Sequence, residues 1–206
     1  MSGRDATIYA VDDEPATLKA IGRLLRAAGW SVAAFASPRE FLGKLDPAAP
    51  GCLVLDLSMP EMTGLEVQQA LDERRCALPI VFLTGRADVP TSVKAMKRGA
   101  ADFLTKPVDE KDLLAAVGRA VERDSSARKD RAEVAAIEAR IAALTPRERD
   151  VFVRVIAGKL NKQIAADLGT AEKTIKVHRG RVMAKMNAAS VADLVRLAQR
   201  AGIRPA

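Results

Sequence analysis

Cys52-Leu53-Val54-Leu55-Asp56-Leu57-Ser58-Met59-Pro60 carries one carboxylate at the end of a run of branched apolar residues, and a proline closes the segment. A short apolar run bounded by turn residues suits a strand covered on both faces, as in a parallel sheet. An aspartate at such a strand end is costly to bury unless something there uses it. Read alone, Asp56 is equally a helix-capping or turn aspartate. The choice depends on what else reaches the same edge of the sheet.

Outward from this stretch, strand and helix signals alternate. Thr7–Val11 is a short strand-like run ending in Asp12-Asp13-Glu14-Pro15. Leu18, Ile21, Leu24 and Leu25 follow at helical spacing up to Gly29, a helix stop. Ser31–Phe35 is a second strand candidate, and Ser37-Pro38-Arg39-Glu40 opens a short helix with a capping serine and proline at its first position. After the central strand come a helix from Gly64 to about Arg74, a strand Pro79–Thr84, a helix Val89–Arg98, a strand Ala101–Thr105, and a helix capped by Asp109. Strict alternation implies a parallel sheet with helices on both faces. For five strands the doubly wound, flavodoxin/CheY-like order 2-1-3-4-5 is expected, with the site outside the carboxyl ends of the strands at the switch point.

That topology gathers the strand ends: Asp12 and Asp13 from the first, Asp56 from the third, Thr84 from the fourth, Lys106 from the fifth. Carboxylates packed together repel unless a cation neutralises them. An all-oxygen set with room for water and phosphate favours Mg²⁺. A carboxylate can accept a phosphoryl group covalently, while Lys106 and Mg²⁺ neutralise the transferring oxygens and Thr84 donates a hydroxyl hydrogen bond. A purely structural carboxylate–lysine cluster is the other reading.

Asp12-Asp13, Asp56 with Met59-Pro60, Thr84-Gly85 and Lys106-Pro107 resemble the receiver domain of two-component response regulators, over about Thr7 to Val121. The resemblance implies that Asp56 is the phosphoacceptor and that Asp12, Asp13, Asp56 and the Ser58 backbone carbonyl arrange Mg²⁺. It also implies that Thr84 and Phe103 form the switch and that Lys106 binds the phosphoryl group, with a cis bond to Pro107. Phe103 as plain core and Thr84 as a plain strand end are the alternatives. Ser58 and Arg86, each two residues past a site residue, are expected to tune the lifetime of the acyl phosphate.

Charge divides the chain. Residues 1–122 hold 15 Lys and Arg against 17 Asp and Glu, net −2, whereas residues 123–206 hold 18 against 9, net +9. A basic second half points to a polyanionic partner. No apolar run approaches the roughly 20 residues that span a bilayer, the N-terminus lacks a signal-peptide pattern, and Cys52 and Cys76 lack metal spacing. A cytoplasmic protein with no membrane partner is expected. Three parts follow: a domain over 1–122, a helical linker over 123–142 and a second domain over 143–206. In the linker, Val134, Ile137, Ile141 and Leu144 form a short apolar seam, read either as a contact between protomers or as part of a solvated helix or tether.

Thr145-Pro146-Arg147-Glu148 opens a helix to Ile156, Asn161 caps a second, Thr170 a third and Ser190 a fourth. Four short helices with a glycine turn between the second and third suit an all-α helix-turn-helix domain. On the third helix Ile175, Val182, Met186 and His178 face inward, while Lys173, Lys176, Val177, Gly180 and Ala184 face outward as a recognition helix requires. Arg179 and Arg181 flank that face and are placed for phosphate.

Leu144–Glu148, Asn161–Ala165, Thr174–Arg179 and Lys185-Met186 resemble the LuxR-type domain of NarL/FixJ-class regulators, over about Ala143 to Ala201 with the motif near Lys159 to His178. The resemblance, closest to FixJ-like members, implies that Lys176 and Val177 reach base edges and that Lys162, Thr174 and Arg179 contact the DNA backbone. Gly180 departs from relatives that carry a longer side chain there. It further implies dimerisation through the last helix, with Leu194, Val195 and Ala198 as candidates. The expected protein is a phosphorylation-dependent transcription regulator, not an enzyme beyond its own phosphoryl transfer and autodephosphorylation. Its expected partners are a sensor histidine kinase, double-stranded promoter DNA, a second copy on activation, and RNA polymerase. A phosphorylation-independent DNA binder whose receiver only dimerises is the alternative, and a phosphatase is a further class disfavoured by the lack of a second general acid beside Asp56.

Overall fold

Every residue of the central strand is buried, which is why its sequence shows no polar alternation. The computed structural model describes residues 6–85 and 89–204, with 89–92 described by backbone alone. Its first unit runs β1 (Thr7–Val11), α1 (Pro15–Ala27), β2 (Ser31–Phe35), α2 (Pro38–Lys44), β3 (Gly51–Asp56), α3 (Gly64–Glu73), β4 (Ile80–Thr84), α4 (Val89–Lys97), β5 (Asp102–Thr105) and α5 (Glu110–Ala142). All strand pairs are parallel and the order is β2-β1-β3-β4-β5, the expected doubly wound arrangement.

The two-residue period of the strands divides their side chains between two cores. Tyr9, Val11, Leu53, Leu55, Ile80 and Phe82 face α2 and α3, packing on Phe41, Val67 and Leu71. Ile8, Ala10, Cys52, Val54, Val81 and Leu83 face α1 and α5, packing on Ile21, Leu25, Leu113 and Val117. With both faces covered, the polar groups that use the sheet can only stand at strand ends.

The chain divides into two compact units, Met1–Ala127 and Arg128–Ala206, and α5 runs as one helix of 33 residues through that division. The expected last receiver helix and the expected linker are therefore one element. The apolar seam also has a different partner from a second protomer: Ile137, Ile141 and Leu144 are buried in the core of the second unit. Their spacing reflects one buried helix face rather than an open coiled-coil stripe.

The second unit contains α6 (Pro146–Ile156), α7 (Asn161–Asp167), α8 (Glu172–Met186) and α9 (Val191–Arg200). Val151, Phe152, Val155, Ile164, Ile175, Val182, Met186, Leu194 and Ala198 complete its core. Two caps shift from expectation. Asn161 is the first residue of α7 behind Leu160, and Ala171 precedes α8 in place of Thr170. Of the expected dimer residues, Leu194 is fully buried and Ala198 is 2% exposed, so both hold α9 to its own unit, whereas Val195 is half-buried and only packs partly against the same core. Among the described residues no helix is long and apolar enough to cross a membrane.

Thr145 and Glu148 form the expected capping box at the start of α6, and the buried Glu148 also takes Lys185 Nζ of α8 at 2.7 Å. The Lys185 hydrogen bond, then the Thr145 N–H, hold the Glu148 carboxyl at about 2, below its ordinary 4.5. A depressed native pKa stabilises the fold above the unfolded value, and that contribution is lost as pH falls through the native one. Urea unfolding of wild-type and Glu148→Gln proteins should show a stability gap that is full above pH 4.5 and closes toward pH 2; a gap constant with pH would count against this pairing.

Candidate functional site

Register alone brings the acids together. β1 and β3 are neighbours with Val11 beside Leu55, so the next residues, Asp12 and Asp56, leave the sheet side by side. On the other flank Thr84 pairs with Thr105, and Lys106 follows. The Lys106 N–H donates to the Thr84 carbonyl at 2.7 Å, and the Lys106–Pro107 peptide is cis.

Lys106 Nζ stands 2.6 Å from Asp12 Oδ2 and 2.7 Å from Asp56 Oδ1. Each carboxylate gives its other oxygen to the backbone: Asp12 Oδ1 accepts from the Glu14 N–H and Asp56 Oδ2 from the Ser58 N–H, both at 2.9 Å. Asp12 is 1% and Asp56 4% exposed. Two buried anions at this spacing are tolerable only because the ammonium and two N–H donors offset their desolvation. Burial pushes the Lys106 amine down, but the hydrogen bonds it donates to Asp12 and Asp56, with their charges, outweigh it and hold the amine above its ordinary value. Lys106 is thus a fixed cation.

The other expected site residues differ in how closely they join this centre. Thr84 is buried at the end of β4. Phe103 in β5 is half-buried, 6.2 Å from the Phe82 ring, and packs against the core. Ser58 and Asp13 are exposed. Among the described residues, no three carboxylate, imidazole or thiolate groups stand close enough to hold a metal ion, and Asp12 and Asp56 are the two acids joined through Lys106. Arg86 lies outside the described residues.

One contributor was not anticipated. A Cβ on Gly64 would lie 2.6 Å from the Asp56 carbonyl oxygen and 3.0 Å from Phe82 Cε1, and the Gly64 N–H donates to the Leu57 carbonyl at 2.9 Å. The loop after Asp56 is folded tightly onto the start of α3, where only glycine fits. A Thr63–Glu66 capping box fixes that start. The Thr-x-x-Glu spacing was a signal in the sequence; the close approach was not.

The second unit presents a cationic helix. Ile175, Val182 and Met186 of α8 are fully buried, while Lys173, Thr174, Lys176, Val177, Gly180 and Arg181 are exposed, with Val177 at 49%. This is the expected phase. Lys162 is exposed on α7. Arg179 is half-buried, and its Nη1 donates to Asn161 Oδ1 at 3.0 Å, tying α8 to α7. His178 faces inward as expected, with its Nδ1 buried and without a hydrogen-bond partner among the described residues.

Residues 8–118 match the family model for the response regulator receiver domain, and residues 142–198 match that for the bacterial regulatory proteins of the luxR family. The chain is 43% identical over 200 residues to the response regulator protein TodT of Pseudomonas putida, spanning 97% of this chain and 88% of that one. It is 41% identical over 196 residues to the transcriptional regulatory protein FixJ of Bradyrhizobium diazoefficiens, spanning 95% and 96%. Among solved structures, the response regulator StyR is similar at a TM-score of 0.88 and 41% identity, covering 95% of this chain and 99% of that chain.

Replacing Gly64 with alanine tests the close approach beside Asp56. Overpacking against backbone is expected to cost about 1–3 kcal/mol in denaturant unfolding. Gly43, which has open space for a Cβ, serves as the matched control and should tolerate alanine without that loss.

Proposed function

The chain belongs to the response regulators that join a receiver to a LuxR-type DNA-binding domain, and on that premise we propose that Asp56 is its phosphoacceptor. The observation that carries this assignment is the Lys106 ammonium held against Asp56 and Asp12 at the switch point of the sheet. The reading is of a transcription regulator whose receiver is phosphorylated by a sensor histidine kinase in the cytoplasm.

In this reaction an Asp56 carboxylate oxygen attacks phosphorus of a phosphohistidine on the kinase. The new O–P bond forms as the P–N bond breaks, and the imidazole leaves with the bonding electrons. Lys106 neutralises the oxygens that gather charge, and Thr84, at the adjoining strand end, donates its hydroxyl to the phosphoryl group. The donor set suits a hard divalent cation: Asp12 and Asp56 offer carboxylate oxygens, and the exposed Asp13 with the Ser58 backbone carbonyl would add the remaining protein oxygens. Mg²⁺ held there would supply positive charge against the transferring phosphoryl oxygens. Return to the resting state is hydrolysis of the same acyl phosphate, the only turnover proposed for this chain.

The output is DNA binding by α8. Lys176 and Val177 are proposed to reach base edges, and Lys162, Lys173, Thr174 and Arg181 to contact phosphates, with Arg179 shared between DNA and Asn161. Activation is proposed to act by population shift toward a receiver state that pairs with a second copy. Its surface is assigned to the α4 side, where Val93 is 45% and Met96 46% exposed, since Leu194 and Ala198 of α9 are buried in their own core. Contact with RNA polymerase would follow on the promoter. Phe103, beside Thr84 in the neighbouring strand, is the proposed relay between site and surface.

Acetyl phosphate with Mg²⁺ is expected to tighten operator binding of the wild type by about 5- to 150-fold, the usual range of an allosteric coupling, and to leave Asp56→Asn unchanged. Equal binding by both under both conditions would instead make the receiver a phosphorylation-independent dimerisation module. For DNA contact, Lys162→Ala should lower affinity evenly across sequences and reduce the salt slope by about 1, whereas Val177→Ala should relax base preference.

A further inference from the structure

Several cations that tie one helix of the second unit to another are matched there with negative charge. Lys185 of α8 reaches Glu148 of α6 at 2.7 Å, and Arg154 of α6 reaches Asp167 of α7 at 3.4 Å. Arg140 donates to the Met186 carbonyl at 3.4 Å, at the end of α8 where the helix dipole is negative. Arg179 of α8 departs from this pattern. It is half-buried, and its Nη1 donates at 3.0 Å to Asn161 Oδ1, a neutral amide oxygen. No acid pairs with Arg179 among the described residues.

The choice of acceptor separates two roles. A charge-assisted bond to a carboxylate is roughly twice as strong as a bond between neutral groups, so a contact made only to join α7 and α8 would favour aspartate over asparagine. An amide instead orients the guanidinium and leaves its charge whole. The amide is also drawn away from a local duty. Asparagine is a good helix cap, yet Asn161 stands one residue past the cap of α7, where Leu160 offers no side-chain acceptor, and its oxygen goes to α8.

The surroundings favour an anion from outside the chain. The bond to Asn161 uses one N–H of the guanidinium and leaves the rest of its planar fork to a second acceptor, a shape that suits phosphate. Lys162, the next residue of α7, is exposed and also has no acid partner among the described residues. Two cations without acids thus come to the start of α7 from two helices. In a helix-turn-helix the first helix crosses the DNA backbone while the second enters the groove.

We propose that Asn161 is a positioning residue for DNA binding, holding the Arg179 guanidinium toward a backbone phosphate while its neutrality keeps that charge available. The assignment rests on the DNA contacts proposed above for Lys162 and Arg179. Full-length protein treated with acetyl phosphate and Mg²⁺ is titrated, over a range of salt concentrations, with a duplex that the wild type selects from a random pool. Arg179→Gln should lower affinity and reduce the salt slope by about 1, the value of one phosphate contact. Asn161→Asp keeps an acceptor in place but cancels the charge. It should resist urea at least as well as the wild type and yet show the same shallower slope. Asn161→Ala should weaken binding about 2- to 10-fold, the worth of one hydrogen-bonded contact. Neither Asn161 variant should change binding further in Arg179→Gln protein.

A wild-type slope in Asn161→Asp overturns the proposal. So do losses from the Asn161 variants that persist undiminished in Arg179→Gln protein, which would make Asn161 a tie between helices only. Lys162→Ala separates this failure from that of the underlying reading. A reduced slope in Lys162→Ala with an unchanged slope in Arg179→Gln sinks the positioning role alone, whereas unchanged slopes in both sink the DNA contacts on which it rests.

Discussion

An ammonium held between two buried carboxylates is the constraint on which the receiver depends. Lys106, Asp12 and Asp56 come from three different strands. They meet only if β1, β3, β4 and β5 are parallel and in the observed register. A slip of one residue would turn each strand end to the other face and bury an unmatched charge. The centre therefore specifies the sheet while it builds the site. The same arrangement sets its chemistry: one oxygen of each acid is fixed by a backbone N–H, and the ammonium offsets one of the two negative charges. Phosphorylation of Asp56 would replace one charge in that balance with a larger one.

The second unit solves a different problem, that of keeping cations exposed on a helix that also anchors a core. Ile175, Val182 and Met186 hold α8 in place through one stripe, leaving Lys173, Lys176, Val177 and Arg181 on the outside. Charged groups supplement this from within. Glu148 is buried at the start of α6, where Thr145 caps it and Lys185 of α8 neutralises it. Arg147 donates to the Leu168 carbonyl at 2.8 Å, fixing the end of α7. α8 is thus held by a few strong polar contacts and one apolar stripe.

Much of this was legible because it rests on local chemistry. Runs such as Leu53-Val54-Leu55 announce strands buried on both faces, and the polar residues that end them announce the site. Ser37, Thr145 and Ser190 cap their helices as their sequences suggest, each accepting from the backbone N–H three residues on. What escaped was tertiary. Leu194 and Ala198 look like any amphipathic stripe; only packing shows that the stripe faces home. Ile137, Ile141 and Leu144 have coiled-coil spacing because a helix buried on one side shares that period. Asn161 has a capping residue's chemistry, yet its side chain is engaged by Arg179 of α8, and Leu160 takes the cap position. Gly64 gave no signal beyond being a glycine at a helix start, since its role depends on a carbonyl eight residues earlier.

The identity of the acid that takes the phosphoryl group is the most direct point of test. Acyl phosphates can be trapped by borohydride reduction, which converts the modified aspartate to homoserine and leaves free carboxylates untouched. Protein treated with acetyl phosphate and Mg²⁺, then reduced and digested, should show homoserine at Asp56 in the peptide that continues into Leu57-Ser58-Met59-Pro60, with Asp12 and Asp13 unmodified. Homoserine at Asp12 or Asp13, or at no acid of this centre, would contradict the assignment.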